Sequence, residues 1–190
     1  MQADLSFSLS PAIQSGTGTN EVFFTGVLTN TSPTDNLFLN QIQFAFTGAA
    51  TNYLIADTNV FFQNVPGILL PGETYTDVIF GIAINPAASP GEYSGTVTIL
   101  GGSDIFATGN LTNQTFQISL PPATLVTAMA GTNLVIFWPS PPGGFMLQQN
   151  SDLTTTNWLA VTNTLAITNC NNQVLLLPSG GNRFYRLKYP

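Results

Sequence analysis

TYTDVIFGIAI, at residues 74–84, is the stretch that decides the fold, because its side chains follow a period of two. That period is typical of a β-strand with two different faces and not of a helix. Seventeen glycines and thirteen prolines interrupt the chain, and three basic with nine acidic residues are too few to give surface helices a charged face. The sequence therefore predicts an all-β fold. The alternating positions are Thr74, Thr76, Val78, Phe80, Ile82 and Ile84.

Pro121 and Pro122 mark the predicted boundary between two modules, because consecutive prolines form a stiff extended junction that no strand ladder continues through. Residues 1–121 are predicted to form a larger β-sandwich, and residues 122–190 a small immunoglobulin or fibronectin-like β-sandwich. The strands expected besides 74–84 are 5–10, 21–30, 37–46, 53–63, 93–99, 105–109 and 114–120, then 125–130, 133–138, 145–149, 158–162, 173–177 and 183–189.

The charge distribution excludes several classes of function. All three basic residues lie in the last eight positions, so residues 1–121 carry a formal −8 and residues 122–190 a formal +2. No upstream basic surface exists to bind phosphate, which disfavours nucleic acid as a partner. The chain has no His and a single Cys, Cys170, so it lacks the usual bases, nucleophiles and metal ligands. We therefore expect no catalysis, no cofactor and no metal site.

The expected location is extracellular, with a signal peptide removed before residue 1. No apolar run reaches the roughly 20 residues that a membrane helix needs, so membrane insertion is not expected. Cys170 lies in the polar run 168–172, where nothing nearby stabilises a thiolate. A structural role is favoured for it, and an intermolecular disulfide or a reactive thiol stays as the alternative.

Two tryptophans are the candidates for a carbohydrate site, because aromatic faces stack on sugar rings while Asn, Gln and Thr supply hydrogen bonds. Trp138 alternates with Leu134 and Ile136, as a core residue of a sandwich does. Trp158 follows a loop-like run of Thr and Asn. Packing is favoured over sugar stacking for both residues, less strongly for Trp158.

Both ends of the chain are candidates for assembly by strand addition. The N-terminal run alternates Leu5, Phe7 and Leu9 with serines, as a strand added to an open sheet edge requires, and pairing inside its own sandwich is the alternative. The C-terminal run places Tyr185 and Leu187 on one face and Phe184, Arg186 and Lys188 on the other, with Arg183 just before it. A head-to-tail contact between the basic end and an acidic N-terminal module would propagate into a filament.

Two stretches resemble known extracellular modules. Residues 4–120, through LSFSLSP at 5–11, FTGVLTN at 24–30, LPGE at 70–73 and the run 91–104, resemble the extracellular domain of bacterial PEP-CTERM-type surface proteins. Residues 125–190, through VIFWP at 135–139, FMLQQNSDL at 145–153 and RFYRL at 183–187, are similar to a short C-terminal immunoglobulin or fibronectin-like module of secreted bacterial proteins. These resemblances imply secretion and display near an exopolysaccharide matrix. The PEP-CTERM sorting tail is not among these residues, so its anchoring mechanism is not inferred.

The sequence thus predicts a non-enzymatic structural or interaction protein of the cell surface or extracellular matrix, a candidate fibre subunit joined through its terminal strands. Its expected partner is another copy of itself. A carbohydrate-binding accessory module is the alternative function, with extracellular polysaccharide as the partner.

Overall fold

A computed structural model describes residues 5–178 and 180–189, so that Asp4 and the other residues outside these ranges are not considered further. The all-β prediction is confirmed, because strands form nearly all of the regular structure and two short helices the rest. The chain folds into two compact units. The first contains the residues up to Gly16 together with Glu21–Ile84 and Glu92–Ser119, and the second contains Thr17–Asn20, Asn85–Gly91 and the residues from Leu120 onwards.

Two sheets make up the first unit. One has the strand order β1-β3-β7-β5, and the other has the order β2-β9-β8-β4-β6. The pairs β1–β3, β3–β7, β7–β5, β8–β4 and β4–β6 are antiparallel, and β2 and β9 are parallel. The elements are β1 (Leu5–Leu9), β2 (Ile13–Ser15), β3 (Glu21–Asn30), β4 (Leu37–Phe46), α1 (Ala50–Tyr53), β5 (Leu54–Asp57), α2 (Asn59–Asn64), β6 (Ile68–Leu69), β7 (Thr74–Ile84), β8 (Gly91–Gly102) and β9 (Gly109–Leu120).

A cluster of phenylalanines joins these two sheets face to face. Phe24 of β3 stacks on Phe80 of β7 with ring centroids 4.8 Å apart, and Phe116 of β9 in the opposite sheet lies 5.1 and 5.3 Å from them. Phe44 of β4 completes the cluster, 5.2 Å from Phe80. Gly95 on β8 makes room for it, because a Cβ there would lie 2.6 Å from the Phe116 ring. The first unit is therefore a two-layer sandwich with an aromatic centre.

The alternation in 74–84 is interrupted by a bulge. Phe24 pairs with Phe80 and Thr25 with Val78, which leaves Ile79 as an extra residue in β7. An extra residue reverses the face of every residue beyond it. Phe80, Ile82 and Ile84 therefore point into the core together with Ile79, whereas the first part of the strand is mostly exposed. The prediction of one continuous face was wrong, although the strand itself was predicted correctly.

Two other predicted strands were correct only in part. Residues 53–63 contain β5 followed by α2, which begins after Asp57 accepts a hydrogen bond from the Asn59 N–H at 2.9 Å. The low number of charged residues did not exclude this helix, because a helix of six residues needs no charged face. Residues 105–109 are mostly a turn, since the Asp104 carboxylate accepts the Phe106 N–H at 2.8 Å. The sequence did not reveal the short strands β2 and β6.

The second unit also has two sheets, with the orders β10-β11-β15-β14 and β13-β12-β16. Its core consists of Ile136, Trp138, Leu147, Val174 and Leu176, with Tyr185 and Leu187 packed against it. Leu147, Tyr185 and Leu187 come from the three-stranded sheet, so the two sheets face each other. The strands are β10 (Val126–Ala130), β11 (Asn133–Pro139), β12 (Met146–Asn150), β13 (Leu159–Ala160), β14 (Leu165–Thr168), β15 (Asn171–Leu176) and β16 (Phe184–Lys188).

The division of the chain at residue 121 stays a prediction. The long C-terminal segment of the second unit begins at Leu120, one residue before the predicted junction, but this unit also contains two short segments from earlier in the chain. Within it, the Gly143 N–H donates to the Ala88 carbonyl at 2.7 Å. These earlier segments carry no strand pattern, so no sequence signal assigns them to the second unit.

Candidate interaction site

The C-terminal strand β16 lies at the edge of its sheet. It pairs antiparallel with β12, in the register Met146↔Lys188 to Asn150↔Phe184, and none of the other described strands pairs with it. Tyr185 and Leu187 pack toward the core, while Arg186 and Lys188 are exposed on the other face. This distribution of faces is the one that the alternation in residues 183–188 predicts. Two of the three basic residues therefore lie on an edge strand.

The hydrogen-bonding direction of β16 follows from its neighbours. The Val161 N–H donates to the Leu147 carbonyl at 2.9 Å, so the backbone of Leu147 faces β13. In an antiparallel ladder, bonded and non-bonded pairs alternate. Leu147↔Leu187 is thus a non-bonded pair, and Gln148↔Arg186 is a bonded one. The N–H and C=O groups of Tyr185 and Leu187 consequently point away from β12, toward the open edge.

An apolar groove of about 300 Å³ lies beside this open edge. Met129 of β10 and Leu177, just after β15, line it and are 64% and 81% exposed. Tyr185 forms the side that belongs to β16, and Arg183 also lines the groove. The other lining residues are Leu134, Leu176, Pro178 and Gly181. The two sheets of the second unit therefore leave their apolar interior partly uncovered on the side of β10 and β16.

Arg186 is held in place on the outer face of this sheet. Its guanidinium carbon lies 4.3 Å from the centroid of the Trp158 ring, and its Nε donates to the Gln148 Oε1 at 3.0 Å. The contact with Trp158 is a cation–π interaction. One face of Trp158, which is partly exposed, is thus covered by a cation, so at most one face is available to a sugar.

Trp138 has no face available to a ligand. It is 2% exposed and packs with Ile136, Leu147 and Val174 in the core. This is the core position that the sequence favours for Trp138, and a sugar would have to enter the packed centre of the sandwich to stack on it.

A polar pocket of about 320 Å³ lies close to Trp158 in sequence, in the loop that precedes it. The buried Asn150 donates through Nδ2 to the Thr155 carbonyl at 3.3 Å, which holds the loop. The Thr154 hydroxyl and N–H both donate to the Asp152 carboxylate, at 2.7 and 2.8 Å, and these bonds lower the pKa of Asp152. The pocket is lined by Gln149, Asn150, Ser151, Asp152, Thr155, Asn157, Leu159 and Arg183.

The N-terminal strand is used within its own unit. Residues 5–9 pair with β3 from Leu5↔Asn30 to Leu9↔Gly26. Leu5 and Phe7 are buried in the core, Leu9 is half-buried, and Gln114 Nε2 donates to the Phe7 carbonyl at 2.9 Å. This pairing is the alternative that the sequence left open for the N-terminal run. A role of Leu5, Phe7 and Leu9 in assembly stays a prediction, and it would require β1 to leave β3.

Cys170 occupies the tight turn between β14 and β15. Asn169 and Cys170 both have positive φ, 49° and 57°, which is the conformation of a two-residue hairpin turn that glycine favours. The Cys170 carbonyl accepts a hydrogen bond from the Ser140 N–H at 2.8 Å.

Within the described residues, no group of three or more His, Cys, Asp or Glu side chains is arranged to hold a metal ion. No helix in the same part of the chain is long and apolar enough to cross a membrane.

The structure places the five predicted C-terminal assembly residues on β16 or just before it, and their role in assembly stays a prediction: Arg183, Tyr185, Arg186, Leu187 and Lys188. Sequence reasoning missed the groove, because Met129, Leu134 and Leu177 come from three other segments. It also missed β14, whose Leu165 and Ile167 are exposed at the opposite edge. A signal for β14 was present in the alternation of residues 165–168.

No family model matches the chain, and no curated protein matches it. Among solved structures it is similar to a chain from a chaperone–tip adhesin complex of CFA/I fimbriae biogenesis, with 12% identity and a TM-score of 0.33 over 94% of this chain and 87% of that chain. It is also similar to a chain of the chaperone–tip subunit pre-assembly complex of Csu pili from Acinetobacter baumannii, with 12% identity and a TM-score of 0.30 over 93% and 92%. Both similarities are weak, and neither identifies a function.

Proposed function

We propose that the chain is a non-enzymatic structural or interaction protein of the cell surface or extracellular matrix, which associates with other protein chains, its own copies included, through the open edge of its C-terminal strand. The observation that carries this proposal is β16. An edge strand with outward backbone groups, beside an uncovered apolar groove, is a surface for pairing with another chain.

The distribution of charge supports self-association. Arg186 and Lys188 lie on β16 with Arg183 just before it, whereas eight of the nine acidic residues precede residue 122. Opposite charges at the two ends of a chain favour head-to-tail contacts, which need not close into a ring. The absence of His and the single Lys in the sequence support a role without catalysis.

Sedimentation velocity over a wide concentration range tests this proposal. We expect association that weakens in Arg183→Glu with Arg186→Glu, most strongly at low salt, since surface charges are screened within about 10 Å at 0.1 M. The control is Thr162→Glu with Thr164→Glu, which adds negative charge at exposed positions of the same unit outside β16. A protein that stays monomeric at every concentration and salt, and that captures no protein partner, contradicts the proposal.

Carbohydrate binding is the second candidate function. It is favoured by the polar pocket of residues 149–159 and by the partly exposed Trp158 ring beside Arg186. Polysaccharide pull-down tests it: saturable binding that is lost in Trp158→Ala and kept in Leu153→Ala, an exposed position in the same loop, would establish this function. Equal binding by both variants would reject it.

A further inference from the structure

The outer face of the three-stranded sheet β13-β12-β16, the basic face, differs from the rest of the chain in charge. Arg186 and Lys188 are exposed on it, and their partners across β12 are Gln148 and Met146. The three strands contain no acidic residue. The chain as a whole has a net charge of −6, which repels anions. An anionic ligand is therefore attracted to the basic face in particular.

The strand register brings a ring, an amide and a cation together on the basic face. Gln148 pairs with Arg186 on one side and with Ala160 on the other, so these three residues form a row across the sheet. Trp158 lies two residues before Ala160, and the Arg186 guanidinium carbon is 4.3 Å from the centroid of its ring. The basic face thus presents a cation and an aromatic ring in direct contact.

Arg186 is positioned in advance to bind a carboxylate. Its Nε donates to the Gln148 Oε1 at 3.0 Å, and Gln148 is itself buried, so the guanidinium is fixed at one end. The end-on pair of terminal nitrogens is not used in that bond, and its geometry matches the two oxygens of a carboxylate. A side chain that is already held in place loses little entropy when a ligand binds.

Trp158 indicates which class of acidic ligand fits. Its ring is partly exposed, and the loop 151–157 before it is rich in Ser, Thr and Asn. Aromatic rings pack against the apolar faces of sugar rings, while hydroxyl and amide groups bond to sugar hydroxyls. An acidic peptide has the charge but no sugar ring to place against Trp158. Nucleic acid needs more cations than the basic face offers.

Charge also distinguishes the basic face from the polar pocket of residues 149–159. Asp152 and Arg183 both line that pocket, so their opposite charges offset each other there. Arg186 and Lys188, in contrast, are two like charges on a sheet whose strands contain no acid. A carboxylate is consequently attracted more strongly to the basic face than to the pocket.

From these observations we infer that the basic face binds a polyuronate, a polysaccharide whose sugar rings carry carboxylates. Arg186 binds one carboxylate end-on, and Lys188, roughly 7 Å further along β16, binds the carboxylate of another sugar. The sugar held at Arg186 packs against the exposed part of Trp158. The inference rests on the carbohydrate-binding function proposed above and specifies its ligand class.

A hexasaccharide of galacturonate is the probe, with binding to the intact protein measured by calorimetry. We expect saturable binding that weakens as salt is raised to 1 M, where the screening length falls to about 3 Å. Tryptophan fluorescence should change on binding, and the change reports Trp158 because Trp138 is buried in the core.

Two ligands separate the contributions of charge and sugar ring without altering the protein. The methyl ester of the hexasaccharide keeps the sugar rings and removes the charge, and it should bind more than about tenfold more weakly. A glutamate hexapeptide keeps the charge and removes the rings, and it should also bind more than about tenfold more weakly.

Three variants locate the site. Arg186→Gln should weaken binding of the hexasaccharide about fivefold or more, and Lys188→Gln about threefold, as expected for exposed charge pairs. The matched control is Thr164→Glu, which changes the net charge by the same amount at an exposed position beside β14, in the other sheet. It should bind within about twofold of wild type.

Arg183→Gln distinguishes the basic face from the pocket. If it weakens binding more than Arg186→Gln does, the ligand lies in the pocket of residues 149–159 and the inference is wrong. Equal binding of the methyl ester also overturns the inference but leaves carbohydrate binding standing. Equal binding of the glutamate peptide shows that the basic face recognises acidic polymers of any class. If no galacturonate binds, the inference fails, and the pull-down with neutral polysaccharides then decides the carbohydrate function separately.

Discussion

The two units are built from the same strand pattern but differ in how fully they are closed. In the first unit, strands of ten to twelve residues bring Phe24, Phe80 and Phe116 together between sheets of four and five strands. In the described part of the second, no strand exceeds seven residues, and one sheet has three strands. Both units expose large apolar side chains, among them Phe106 in the first and Leu177 in the second. The shorter strands and the groove beside β16 support the proposal that the second unit presents an interaction surface.

The largest expected effect is loss of the aromatic centre of the first unit. Phe80→Ala should lower the free energy of unfolding of that unit by about 3–5 kcal/mol, because it removes a fully buried ring and leaves a cavity. Both tryptophans, Trp138 and Trp158, lie in the second unit, so their fluorescence reports that unit alone. The urea midpoint of the unfolding followed by circular dichroism should shift to lower urea concentration. The midpoint followed by tryptophan fluorescence should stay unchanged. A matching shift of the fluorescence transition would show that the units unfold together.

Two adjacent leucines separate core from groove within the second unit. Leu176 is a core residue and Leu177 is 81% exposed in the groove. Leu176→Ala should lower the free energy of unfolding of the second unit by about 2–4 kcal/mol, and Leu177→Ala by less than about 0.5 kcal/mol. Tryptophan fluorescence follows the unfolding of both variants. Equal costs would mean that Leu177 is covered in solution, and the groove would then not be open.

Glycine should stabilise the turn at Asn169 and Cys170. Cys170 has a φ of 57°, and this left-handed conformation costs a residue with a Cβ about 1 kcal/mol of folding free energy. Glycine avoids that cost, but its greater conformational freedom in the unfolded chain offsets part of the gain. Cys170→Gly should therefore stabilise the second unit by about 0.5 kcal/mol, whereas Cys170→Ser should leave stability and partner binding near wild type. Loss of binding in either variant would reveal a role for the thiol that the turn geometry does not provide.

A smaller, pH-dependent effect is expected in the first unit. Hydrogen bonds from the Ser119 hydroxyl, at 2.7 Å, and from the Gln117 amide lower the pKa of Glu92 below its ordinary 4.5. A lowered pKa stabilises the folded state fully above pH 4.5, and this contribution is lost as the pH falls through the lower folded value. Glu92→Gln should flatten the acid limb of the stability profile of the first unit. An unchanged acid limb would show that these bonds do not form in solution.

Much of the fold could be predicted from the sequence because alternation is a local property. Strands β3 and β4 have the bounds that their alternation predicts, and the two faces of β16 are also as expected. The bulge at Ile79 was not predictable, because the register of β7 against β3 depends on pairing between distant segments. The groove depends in the same way on the order of strands across two sheets. Composition and alternation contain no information about that order.

Hydrogen exchange of the isolated protein in dilute solution tests the central claim, the open edge of β16, most directly. Tyr185 and Leu187 should exchange on the order of a hundredfold faster than Arg186, because only the Arg186 N–H is bonded to β12. This alternation between neighbouring residues of one strand is the signature of an unpaired edge. Equal, strong protection of Tyr185, Arg186 and Leu187 in the monomer would show that another segment already covers the strand, and would contradict the account.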